Sequence, residues 1–190
     1  MLKRVARRFS LLALIGLLCA CAELGRAPSA DADFSLELQG RVALRYGSEG
    51  GNARITWRHS ETTDDMLITS ALGQGIARIT RENGNFQLVT ADGKEYRAAD
   101  AETLTESVLG WRLPLAGLPD WVRGRPAAGR PAELRRDDGG KVIAIEQDAW
   151  RIDYTAWEGD RPSRINLNHD GSGGKGAIAI RLVIDQITGS

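Results

Sequence analysis

A chain of 190 residues with 25 basic and 25 acidic side chains has the length of one ordinary domain and no formal net charge. That balance speaks against nucleic acid as a partner, which would need a strongly basic face. Two cysteines and two histidines leave little material for a disulfide framework or a metal cluster.

The first segment stands apart. Lys3, Arg4, Arg7 and Arg8 make a basic start, and "FSLLALIGLLCA" then runs apolar to Ala20. This run is short for a transmembrane span and suits the apolar region of a secretory signal over residues 1–20. It ends in "LCAC", which resembles a bacterial lipoprotein box with Cys21 as the lipidated residue. The resemblance implies covalent diacylglycerol and an N-acyl chain on Cys21, and no other cofactor. Ala22 follows, where an aspartate commonly signals inner-membrane retention, so the implied address is the outer membrane, facing the periplasm. Cleavage before Cys21 removes four of the 25 basic charges, leaving 21 against 25 acidic groups and a formal charge of −4. Residues 21–33 supply the anchor and a tether, "AELGRAPSADAD", small, polar and aperiodic. Fully extended, the tether spans about 40 Å. The remainder, 34–190, must fold on its core alone, because a lipidated cysteine forms no disulfide.

From Phe34 the hydrophobic period is two. Leu36, Leu38, Val42, Leu44 and Tyr46 share one parity, and Glu37, Gln39, Arg41 and Arg45 the other. "GSEGGN" reads as a turn, and "ARITWRH" alternates again with Ile55 and Trp57 on one face. "DMLITSA" is a more uniformly apolar strand. "IARITRE" and "FQLVT" are joined by Asn83-Gly84, the strongest short hairpin signal. "DGKEYRA" adds a further turn and strand. Between two of these strands lies "LITSALGQGIA", which sets Leu72 where a polar turn residue is expected. A leucine there is either folded back onto the domain, merely exposed, or presented for contact.

Helix follows. Asp100 can cap "AETLTESVLGW", in which Leu104, Val108 and Trp111 recur at helical spacing. "PLAGLPDWVRG" places Leu115, Leu118 and Val122 on one stripe, with Pro119 in a first turn and Gly124 at the end, so a second helix is expected to start near Leu118. Strands then resume: a weak "AELRRD", the pair "KVIAIEQ" and "WRIDYTAW", then "SRINLNH" and "AIAIRLVIDQ". In the clean strand Trp150, Ile152 and Tyr154 alternate with Arg151, Asp153 and Thr155. The sum is about eleven strands and two helices. Short turns imply antiparallel pairing, and so many twisted strands tend to curl. The expected fold is mainly β: one curved antiparallel sheet with helices on its concave face and an apolar cavity between.

Catalytic motifs are missing. There is no nucleophile elbow, phosphate loop or metal-spaced Cys/His cluster. "GSGGKG" lacks the spacing of a phosphate loop and reads as a connection. His59 and His169 read as solvated histidines, and Asp64-Asp65 as turn chemistry. The five tryptophans are either core or the walls of a ligand cavity. An enzyme is disfavoured.

Seven stretches, "LQGRVAL", "ITWRH", "LITSALGQGIARI", "LVTADGKEYRAADAETL", "LGWRLPLAGLPDWVRG", "QDAWRIDYTAW" and "AIAIRLVID", occur in an order similar to the LolB family. These are outer-membrane lipoproteins that receive other lipoproteins from the periplasmic carrier LolA. The resemblance runs from about Phe34 to Gln186. It implies an incomplete β-barrel of eleven strands with helices over its mouth. It also implies an apolar cavity for the acyl chains of client lipoproteins, and an exposed leucine, here Leu72, that helps insert the client into the inner leaflet of the outer membrane. By this resemblance and by apolar parity, Trp57, Leu104, Val108, Leu115, Leu118, Ile152 and Tyr154 are the expected cavity or lid walls, in a protein expected to act as a monomer. The alternative is an outer-membrane lipoprotein that binds lipid, or plays a structural part, without contact with the carrier. Three features depart from the family pattern: no good helix precedes Phe34, Ala71 stands where proline is frequent before the leucine, and Ile187 lies near an expected aromatic.

Overall fold

The computed structural model describes residues 34–109, 112–171 and 176–189. The signal, Cys21, the tether and Trp111 lie outside the described residues, as does most of "GSGGKG".

Among the described residues there are eleven strands: β1 (Leu36–Tyr46), β2 (Glu49–His59), β3 (Thr63–Thr69), β4 (Gly75–Glu82), β5 (Asn85–Thr90), β6 (Glu95–Ala98), β7 (Glu133–Arg136), β8 (Val142–Gln147), β9 (Trp150–Glu158), β10 (Arg161–His169) and β11 (Ile178–Thr188). Between β6 and β7 come α1 (Ala101–Leu109) and the single turn α2 (Leu118–Trp121). All strands join one antiparallel sheet in the order β6-β5-β4-β3-β2-β1-β11-β10-β9-β8-β7. The first six strands form a meander running outward from the centre. The helical segment then crosses to the opposite edge, and the last five strands return until β11 pairs with β1. The two free edges, β6 and β7, are thus the strands on either side of the helical segment.

Register explains the core. Leu38, Trp57, Met66, Ile79, Leu88 and Tyr96 face one another in sequence across β1 to β6. Leu44, Ile180, Leu167, Ile152 and Ile145 do the same across β1, β11, β10, β9 and β8. Alternation puts every one of these side chains on the same face of the sheet. Both wings contribute to one hydrophobic cluster, so the sheet is rolled round it without closing.

Irregularities supply the bend. The β1–β11 register shifts between Gln39 and Gly40. A Cβ at Gly40 would lie 2.5 Å from the Val183 carbonyl oxygen, so only glycine allows the strands this close. Gly40→Ala is therefore expected to cost about 1–3 kcal/mol, read as a lower urea midpoint with an unchanged slope.

Two turns sharpen the sequence reading. Asn83 and Gly84 both have positive φ, 51° and 80°, as a two-residue primed turn requires. "GSEGGN" is a shorter turn than its composition suggests. Only Gly47 and Ser48 lie between β1 and β2, and Gly50, Gly51 and Asn52 pair with Arg45, Leu44 and Ala43. The long strand β1 offers ladder partners there, and these override the turn preference of glycine.

Candidate functional site

The β3–β4 connection is a braced hairpin. The Gly73 amide donates to the Ser70 carbonyl at 2.9 Å, and the Ser70 amide to the Gln74 carbonyl at 2.8 Å. The Gln74 amide also donates to Ser70 Oγ at 3.2 Å. Gly73, at φ 83°, takes the left-handed position that follows the turn. Ala71 and Leu72 are the central turn residues, and the Leu72 side chain is 88% exposed. Leu72 is therefore not folded back onto the domain. The bracing comes from hydrogen bonds, so the turn is held without a proline.

The helical segment is pinned to the far wing. Asp100 caps α1: its Oδ1 accepts the Thr103 amide at 2.7 Å and its Oδ2 accepts the Thr103 hydroxyl at 2.9 Å. Thr105, fully buried, donates to the Ala101 carbonyl and accepts the Leu113 amide, tying α1 to the chain beyond it. Pro119 occupies the first turn of α2, as anticipated, and α2 contributes the fully buried Trp121. Gly117 is obligatory beside that ring, since a Cβ there would come within 2.5 Å of it. Trp121 Nε1 donates to Gln147 Oε1 at 2.8 Å, and the Ala127 amide donates to the same oxygen at 2.8 Å. Gln147 Nε2 donates back to the carbonyls of Ala127 (2.9 Å) and Arg130 (3.2 Å). One buried amide on β8 thus holds the whole stretch from Trp121 to Arg130.

Tyr154 adds a second pin, its hydroxyl donating to the Trp121 carbonyl at 2.8 Å. Burial pushes its pKa well above the ordinary tyrosine value. The neutral phenol is therefore the form the fold prefers. Its contribution is complete below about pH 10 and is lost as pH rises beyond that, because the unfolded chain then ionises first. Tyr154→Phe is expected to cost about 1–2 kcal/mol at neutral pH and to flatten the alkaline fall in stability, both read from urea unfolding at several pH values.

The sequence-predicted walls come together. Trp57, Leu104, Ile152 and Tyr154 belong to the buried cluster, and Val108, Leu115 and Leu118 pack against it. They meet in one apolar cluster between the sheet and the helical segment. A cavity of about 870 Å³ lies elsewhere, at the rim formed by the β1–β2, β8–β9 and β10–β11 turns, walled by Arg45, Gln147, Trp150, His169 and Ile178. None of the seven lines it.

The assignments of His59, Asp64, Asp65 and His169 change. Asp64 is no turn residue: its Oδ1 accepts Trp57 Nε1 at 3.0 Å and meets His59 Nδ1 at 2.8 Å, while its Oδ2 takes the Arg81 guanidinium. Neighbouring Asp65, on the outer face, takes a bidentate pair from Arg78 at 2.7 and 2.8 Å. His169 is also less solvated than expected, with its ring edge-on to Trp150 at 5.2 Å and Nδ1 accepting the Gly171 amide. Cross-strand partners decide these roles, and partner strands cannot be read from local composition. Among the described residues no group of three or more His, Cys, Asp or Glu could hold a metal ion.

An unclosed antiparallel barrel of eleven strands, its apolar face covered by one helical segment, defines the class of fold. The family model described as "Outer membrane lipoprotein LolB" matches residues 35–186. The LolB lipoprotein of Thiobacillus denitrificans is 36% identical over 94% of this chain and 96% of its own length. That of Dechloromonas aromatica is 38% identical over 94% and 96%, and that of Pseudomonas fluorescens 30% over 85% and 89%. A solved LolA superfamily protein from Nitrosomonas europaea covers 81% of this chain and 86% of its own at a TM-score of 0.46 and 10% identity. The chain belongs to the LolB family, and it is a lipid-anchored protein of the outer membrane.

Proposed function

We propose that this chain takes lipoproteins from the periplasmic carrier LolA and inserts them into the inner leaflet of the outer membrane. Residues 1–20 act as signal, the acylated Cys21 and the stretch to 33 as anchor and tether, and 34–190 as the working domain. The observation that carries the reading is Leu72, a large aliphatic side chain 88% exposed on a turn braced by three hydrogen bonds. Leaving a leucine in water forgoes about 1.5–3 kcal/mol that burial would supply, and a bilayer supplies that burial.

Client acyl chains need an apolar host throughout. Three chains of about sixteen carbons represent roughly 35–40 kcal/mol of contact, at ~0.8 kcal/mol per buried CH₂. No single-site affinity matches that, so the chains pass directly from carrier to this domain and then to lipid. This apolar cluster supplies the host surface once the segment from Trp121 to Arg130 moves off Gln147 and Tyr154. Trp57, Leu104, Val108, Leu115, Leu118, Ile152 and Tyr154 then line the opened space. Such a relay uses no nucleotide, and a monomer suffices for it.

A transfer assay tests this. Purified carrier loaded with a triacylated client is mixed with the mature protein carrying Cys21→Ser. The client is expected to appear on the domain and then in added liposomes. A client that stays on the carrier would overturn the reading and favour a lipid-binding protein without carrier contact.

A further inference from the structure

The geometry points to the outer face beside the Leu72 turn as a docking surface for anionic phospholipid headgroups. The choice of occupant rests on the membrane reading of Leu72; the cluster of charges does not.

Register places the charges. On the outer face Arg54 of β2 is directly opposite Thr69, the last residue of β3 before the turn, and opposite Arg41 of β1. Arg41 is itself neutralised by Asp185, Nη2 to Oδ1 at 2.7 Å. Arg45 lies on β1 on the same face, and Arg181 of β11 is opposite Ala43. Arg164 of β10 is opposite Val183, one position along from Arg181 on that face. With neighbouring strands about 4.8 Å apart, Arg54, Arg45 and Arg181 stand within about 15 Å of the base of the turn.

These cations are exposed. Among the described residues, the side chains of Arg45, Arg54, Arg164 and Arg181 make no ion pair or hydrogen bond. Elsewhere on the domain most arginines are paired, as Arg78 with Asp65 and Arg125 with Asp120 show. A chain with a net negative mature charge therefore keeps one island of free arginines. Two shallow grooves cross it and share Asn166 and Arg181 in their walls. Within them the Oδ1 of Asn166 is buried without a hydrogen-bond partner.

The apolar part of the surface selects a bilayer over an acidic protein. Among the described residues, Leu72 and Ile76 are the two most exposed large hydrophobics, at 88% and 44%. Ile76 is the extra residue where the β3–β4 register shifts, between Gly75 opposite Thr69 and Ala77 opposite Ile68, and Thr69 is in turn opposite Arg54. Exposed aliphatics next to unpaired guanidinium groups are the combination that settles at a lipid interface, with the apolar tips below the headgroups and the cations among the phosphates. Guanidinium forks suit phosphate oxygens.

Flotation tests it. The mature chain with Cys21→Ser, so that no acyl anchor holds it, is mixed with vesicles of phosphatidylethanolamine and phosphatidylcholine. A second set contains phosphatidylglycerol as well. Phosphatidylglycerol is expected to tighten binding, and added salt to reverse the gain. Arg45→Gln with Arg181→Gln is expected to weaken binding to the anionic vesicles by about fivefold per arginine, with no change on the neutral ones. Arg135→Gln, on β7, loses the same kind of charge away from the surface and is expected to bind as wild type. Equal loss in Arg135→Gln, or no loss in the double variant, would overturn the proposal. So would intact vesicle binding with lost carrier binding, which would make this face a protein dock. If Leu72→Glu leaves vesicle binding untouched while the double variant weakens it, the wedge reading fails and the headgroup surface stands.

Discussion

Leu72→Glu is expected to leave the domain folded and able to take up client, yet to slow insertion into liposomes by roughly 10- to 100-fold, the worth of a leucine moved from water into lipid. Stability should barely move. The side chain is 88% exposed and touches little of the domain, and surface changes of this kind stay within about 0.5 kcal/mol. The braced backbone from Ser70 to Gln74 uses no Leu72 side-chain atom, so the turn persists. The assay therefore needs two readouts, client on the domain and client in lipid. Loss of the second with the first retained identifies Leu72 as the wedge. Equal loss of both would instead place Leu72 in carrier contact.

The largest effect on stability is expected at Gln147, about 3–5 kcal/mol for Gln147→Leu. The substitution nearly conserves volume but strands four polar groups: the Trp121 indole N–H, the Ala127 amide, and the carbonyls of Ala127 and Arg130. Each buried group left without a partner costs about 1–3 kcal/mol, with some relief where the loop can reach water. Urea unfolding measures the total. If acyl chains enter by lifting this segment, the variant should also bind a fluorescent fatty acyl probe faster than wild type. Gln147→Glu keeps the oxygen that accepts from Trp121 and Ala127 but sets a second oxygen, in place of the donating Nε2, against the carbonyls of Ala127 and Arg130. A loss at neutral pH at least as large as for Leu is expected, since a buried carboxylate adds desolvation and repulsion to the lost donations. A loss much smaller than for Leu would mean that the two donations to carbonyls contribute little to the pin.

Both effects arise in stretches where local pattern and tertiary placement contribute differently. Alternation placed Leu36, Leu38, Trp57, Ile152 and Tyr154 on one face because a strand's period is two residues whatever surrounds it. Asn83-Gly84 set a hairpin because its φ values suit few other residues, and Asp100 marked the start of α1 through its own side chain. The motifs from "LQGRVAL" to "AIAIRLVID" carried the family and with it the open barrel. Gln147 left no such signal: a lone glutamine at the end of an apolar strand reads as solvated, and only the segment folded back from β6 to β7 makes it a buried clamp. Asp64 misled for the same reason, since its partners Trp57, His59 and Arg81 come from two other strands. The island around Arg45, Arg54 and Arg181 joins residues more than a hundred positions apart, and it exists only because β11 closes on β1. Periodicity, turn chemistry and caps are interactions between near neighbours, so a chain displays them in one dimension. Which polar groups satisfy one another, and which charges are left without partners, depends on strand order and register, and these are settled only when the sheet rolls up.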